Sequence, residues 1–252
     1  MTMRRVAAIG AAALGAVALA GVAPARADDG ALAAPTLVPA QAVAVAVALE
    51  GRLDGDAADV AADAWYGVGA GLTLGLRHSQ RSVDAIGAGR GLCLRGCRAG
   101  DDRYRGVALT ARFPLAARLT GELATDVTAW SPAHAAVTVG VIADWRDGRR
   151  WARATARLAV GLLGRADGNR DRAAVDATVG APLIGPLGVE VGVGMAGPPA
   201  TDYFAAAVAP AWVQLDWWAG RCWGLGLAVG TDDVTRGDRA GYGALTVAGR
   251  LR

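Results

Sequence analysis

Ala42-Val43-Ala44-Val45-Ala46-Val47-Ala48-Leu49 alternates without a break. Its valines and Leu49 fall on one face and its alanines on the other, because side chains along a strand change sides at every residue. The stretch therefore reads as a strand with one larger apolar face and one small face. The same unit returns down to the C-terminus, roughly ten residues at a time, separated by connectors that alternate between short and long.

Further units are expected at 65–77, 82–92, 104–113, 117–127, 136–145, 151–163, 173–181, 187–195, 203–215, 221–229 and 241–251. In the 65–77 unit, Tyr66, Val68, Ala70, Leu72, Leu74 and Leu76 share one face, opposite Gly67, Gly69, Gly71, Thr73 and Arg77. An Asp-rich long connector is expected at 51–63. The count is about twelve strands, or about ten if the weak units at 82–92 and 203–215 are not strands, and bacterial barrels carry an even number. A sheet that spans lipid must leave no unpaired edge. The expected fold is therefore all-β, an antiparallel up-and-down transmembrane β-barrel.

Residues 1–27 read as a cleaved signal peptide. Arg4 and Arg5 precede an apolar stretch, and Ala25-Arg26-Ala27 ends it as a cleavage site. The barrel domain is then 28–252. Removing the signal takes three of the 26 basic residues and leaves the rest balanced against 23 acidic ones, so the +3 charge gives no reason to expect a nucleic-acid partner. Hydrophobic residues make up 53% of the chain. Even so, no apolar run after the signal reaches the roughly 20 residues of a spanning helix.

The aromatic residues sort into two expected belts. Trp65, Tyr66, Tyr104, Trp130, Tyr203, Phe204 and Tyr242 fall at the rim bearing the long loops. Phe113, Trp145, Trp151, Trp212, Trp217, Trp218 and Trp223 fall at the rim bearing the short turns. Amphipathic rings favour such interfacial positions.

In its signal, girdles and loop asymmetry the chain resembles Gram-negative outer-membrane β-barrels. The resemblance implies a place in the outer membrane against lipid and lipopolysaccharide, short turns toward the periplasm, and small hydrophilic solutes as partners. The ending Gly249-Arg250-Leu251-Arg252 departs from the aromatic last residue common in such barrels.

Charges on strands cannot face lipid cheaply, since a midplane Arg there costs roughly 2–4 kcal/mol. Arg112, Arg118, Glu122, Asp126, Arg153, Arg157, Asp176 and Glu190 are therefore expected to line the lumen. They either border a wet pore or pair across strands and plug it, and mixed signs fit both. The first reading makes the protein a narrow porin-like channel, the second a non-conducting barrel with a structural or surface role. Cys93 and Cys97 suit a local disulfide in an oxidising compartment, leaving Cys222 to pack as a small residue. Asp167-Gly168-Asn169-Arg170-Asp171 opens like a calcium loop but lacks the later ligands. No metal or cofactor is expected. Ser131 and His134 share a loop, which makes a lipid-modifying hydrolase the third reading, without an orienting partner for the histidine.

Overall fold

The computed structural model describes residues 36–53, 57–78, 90–97, 103–199, 203–219, 222–235 and 241–251. The signal-peptide reading and most of the expected 82–92 strand lie outside them. The strands are β1 (Val43–Arg52), β2 (Ala58–Gly69), β3 (Leu72–Arg77), β4 (Leu92–Arg95), β5 (Val107–Ala116), β6 (Leu119–Trp130), β7 (Ala133–Asp147), β8 (Arg150–Leu163), β9 (Arg172–Ile184), β10 (Leu187–Gly197), β11 (Ala211–Ala219), β12 (Trp223–Thr231) and β13 (Gly241–Leu251). A single helical turn, α1 (Tyr203–Ala206), precedes β11.

Every pairing between named strands is antiparallel, and β1 pairs with both β13 and β2, so the sheet closes. Twelve strands form the barrel. The short β4 pairs with Ala58 to Val60 of β2, beyond the Ala64-to-Gly69 stretch that β3 holds. Both β3 and β4 run antiparallel to β2. They are thus two halves of one stave, interrupted by the excursion 78–91.

Periodicity misplaced three elements. The 65–77 unit is a hairpin rather than one strand, because Gly69, Ala70 and Gly71 all have positive φ and turn the chain. Their small size kept the alternation in phase across the turn, which hid it. The expected connector 51–63 is mostly strand: its Asp59 and Asp63 lie on the inward face of β2, where Asp59 stands 3.6 Å from Arg105 and Asp63 accepts the His78 backbone N–H at 2.8 Å. The expected strand 203–215 begins as α1, and its sheet part starts at Ala211.

One end of the barrel carries tight turns at 70–71, 117–118, 148–149 and 185–186. The other end, the loop end, carries the connectors 96–106, 164–171, 198–210 and 232–240. Two loop-end connectors are nevertheless short, at 53–57 and 131–132, so the expected strict alternation of lengths does not hold.

The two faces separate by size. Ala44, Ala46 and Ala48 point in and are buried, whereas Val47 and Leu49 point out. Leu109, Leu162 and Leu227 stand 57–59% exposed on the outer wall. A belt of such residues around a closed sheet is what hydrocarbon requires, and would be a large apolar patch in water.

Candidate functional site: a charged arc in the lumen

Hydrogen-bonded register places Thr73, Arg112, Glu122, Gly140 and Arg157 side by side on β3, β5, β6, β7 and β8. Period two aims all of them inward. Glu122 is the centre of the arc, with a side chain 0% exposed. Its Oε2 accepts from Nε and Nη2 of Arg112, both at 2.8 Å, and its Oε1 accepts from Nε of Arg157 at 2.7 Å. Arg77 stands 3.8 Å from the same Oε1. Gly140 makes the Arg157 contact feasible, since a Cβ there would crowd Arg157 Cγ at 3.1 Å. Arg157 also lies 3.8 Å from Asp176, and Asp126 accepts from Thr138 Oγ1 at 2.6 Å. Charge-assisted pairs of this geometry are what permit buried ions. The Arg112 guanidinium covers the Trp65 ring at 3.8 Å, a cation–π contact.

The opposite part of the wall is unlike this arc. Inward positions on β12 are Gly224, Gly226 and Ala228, on β13 Ala244, Thr246 and Ala248, and on β1 Ala44, Ala46 and Ala48. Beside them β11 aims Trp212, Gln214, Asp216 and Trp218 inward. Trp212 Nε1 donates to Glu190 at 3.4 Å, Gln214 donates to Asp216 at 2.7 Å, and Arg250 lies 4.7 Å from the Trp218 ring.

A strap crosses the turn end. Residues 36–41 precede β1 and run inside the wall. Gln41 N donates to Gly67 O at 2.7 Å, and Val38 N donates to Thr73 Oγ1 at 2.9 Å. Gly67 is required there, because a Cβ would strike the carbonyls of Val38 and Pro39. From β2 and β3 the strap reaches β8, where Thr36 Oγ1 accepts from Arg153 Nη2 at 2.6 Å. Arg153 is itself anchored to Asp144 at 2.7 Å.

Of the expected lumen residues, Arg112, Glu122, Asp126, Arg153, Arg157, Asp176 and Glu190 sit on inward-facing strand positions. Arg118 does not: it lies in the 117–118 turn, where its carbonyl accepts from Asp144 N at 3.0 Å. Phe113, Trp145, Trp217 and Trp223 occupy the outer wall at the turn end. Tyr104 and Trp130 stack at the loop end with ring centroids 6.3 Å apart, and the Tyr203 hydroxyl lies 3.2 Å from the Ala173 and Met195 carbonyls. Trp65, Trp151, Trp218 and Tyr242, expected in the girdles, instead point inward and are 2–8% exposed. Three of them lie over cross-strand glycines, Trp65 on Gly75, Trp151 on Gly180 and Tyr242 on Gly230, and Trp218 packs on Ala46 and Ala248. Trp65 also sits near the turn end, because β2 begins at Ala58 rather than at Trp65. Trp212, expected at the turn-end rim, lies instead inside the wall toward the loop end, over Gly192.

Cys93 and Cys97 form a disulfide, whereas Cys222 is exposed rather than packed. In the Asp167–Asp171 stretch, Asn169 and Asp171 use their side chains to anchor the loop. Asn169 donates to Ala135 O at 2.8 Å, and Arg165 holds the Asp171 carboxyl below its ordinary pKa through a 2.6 Å hydrogen bond. His78 Nε2 meets Tyr104 OH at 2.6 Å. Sequence reasoning put Arg77 on the small face but did not count it in the site, although it is in phase with Thr73. The strap carried no periodic signal.

No protein-family model matches the sequence, and no curated protein matches it. Solved structures that share the fold include porins. The NanC porin aligns with 82% of this chain and 100% of its own, at 8% identity and a TM-score of 0.56. The KdgM porin in complex with disordered oligogalacturonate aligns over 83% and 99%, at 10% identity and a TM-score of 0.52. At such identities the likeness is one of fold.

Proposed function

We propose that the protein is a narrow channel for small hydrophilic solutes in the outer membrane, exported by the 1–27 signal, with the turn end toward the periplasm and the strap restricting that mouth. One observation carries the reading. Opposite the charged arc, the middle of β12, β13 and β1 contributes only Gly, Ala and Thr inward, at Gly224, Gly226, Ala228, Ala244, Thr246, Ala248, Ala44, Ala46 and Ala48. Barrels of about eight strands are just filled by side chains and those of about sixteen leave a water channel. A twelve-strand barrel lies between, so small residues over a quarter of its wall favour a passage. A fold neighbour solved with an oligogalacturonate supports solute traffic as the theme.

A plugged barrel is the second reading, favoured by the Glu122 pairing, in which the carboxylate is satisfied without water. Catalysis is not part of the proposal: His134 Nε2 makes no hydrogen bond, so it does not activate Ser131 through that atom.

The test is single-channel recording of refolded protein in planar bilayers. The mature chain should give small conductance steps, and a variant starting at Ala42, which lacks the strap, should give larger or longer ones. If neither conducts while both insert, the channel reading falls and the plugged barrel stands.

A further inference from the structure

At the loop end a cavity of about 380 Å³ opens inside the wall. His134 and Ala136 of β7 and Ala159 of β8 face it from the sheet, and the 168–172 part of the β8–β9 loop covers it. Its size suits a monosaccharide-sized molecule. Two features ask for a particular kind of guest.

The first is His134. Its ring packs on Gly164, where a Cβ would strike it. Its Nε2 is enclosed and has no hydrogen-bond partner. A buried polar atom left so is costly, and a small turn of the ring toward the cavity it lines would let a guest oxygen reach it. The second is charge. Arg165 is already taken by Asp171, but Arg170 and Arg172, which line the cavity, make no ion pair among the described residues. Arginine forks match carboxylate and phosphate oxygens.

We propose that this cavity is the entry site for a small anionic solute, a sugar-sized molecule bearing a carboxylate or phosphate. Its anionic group lies between Arg170 and Arg172, and an oxygen of the same molecule meets His134 Nε2. The solute is free rather than a lipid headgroup, because Ala136 and Ala159 belong to the inward face and not to the lipid face. The role in uptake rests on the channel reading, but binding does not need conduction.

The test is histidine NMR on the mature protein refolded in detergent, where His78 and His134 are the only two histidines. Gluconate and glucose 6-phosphate should shift the His134 ring signals in a saturable way at low salt, leave His78 unchanged, and be displaced as salt rises. Glucose should do nothing. Arg170→Gln combined with Arg172→Gln should weaken binding by about tenfold or more, since each charge-assisted hydrogen bond to the anion is worth about that much. A silent His134, equal binding of glucose, or unchanged binding by the double variant overturns the site. Binding in a barrel that never conducts overturns the channel reading and leaves the site standing.

Discussion

Glu122 is the residue on which most of the lumen's electrostatics turns. Three guanidiniums approach it within 3.8 Å, and its side chain has no exposed surface. Glu122→Gln would remove the carboxylate that Arg112, Arg157 and Arg77 share, at a cost of roughly 3–5 kcal/mol for breaking a buried pair. Asp126→Asn should cost less, because Asp126 is held by a hydrogen bond from Thr138, worth about 1.5–3 kcal/mol to a charged group. Urea unfolding of the two variants in lipid vesicles checks the order. Equal midpoints would mean that water already solvates Glu122. At this scale the sequence showed which face each charge takes, since period two and the lipid penalty suffice. It did not show that Trp65, Trp151 and Tyr242 turn inward. That depends on a glycine across the strand pair, and register is a three-dimensional fact.

Elements were legible where the strand had a lipid face and a tight turn, as from β5 through β10. They failed where a charged lumen disguised a strand, as at the start of β2, and where small residues carried the alternation through the Gly69–Gly71 turn. The strap was missed because it uses backbone hydrogen bonds and two threonine hydroxyls, Thr36 and Thr73, which any sequence could supply. The face assignment of a single strand is open to direct trial on β13. Leu245 is 49% exposed on the outer wall, and Thr246 faces inward between Gly226 and Ala48. Leu245→Arg should destabilise the barrel by roughly 2–4 kcal/mol, the cost of a lipid-facing Arg near the midplane. Thr246→Arg should cost less, because its neighbours on both sides are small. Folding yields on heat-modifiability gels and urea midpoints read the difference, and equal effects would mean that β13 is turned over.

Closure is the property of the whole molecule that everything else depends on. β1 pairs with β13 from Val43↔Leu251 to Arg52↔Tyr242, so the seam between the first and last strands leaves neither of them an open edge to lipid. The even count then fixes the start of β1 and the end of β13 at one mouth, with the strap lying in it. Which mouth faces the cell exterior is a claim about insertion, argued from turn lengths alone. Two glycines make it measurable, because added atoms at Gly148 or Gly168 would meet nothing within 4 Å. Gly148 is in a β-hairpin at the turn end and Gly168 in the β8–β9 loop. A short epitope inserted at Gly168 should be reached by antibody on intact cells, and one at Gly148 only after the outer membrane is permeabilised. Reversed labelling would put the strap at the outer mouth and the Arg170–Arg172 cavity on the periplasmic side. The cavity would then be an exit rather than an entry, although its preference for anions, which comes from its own residues, would stand.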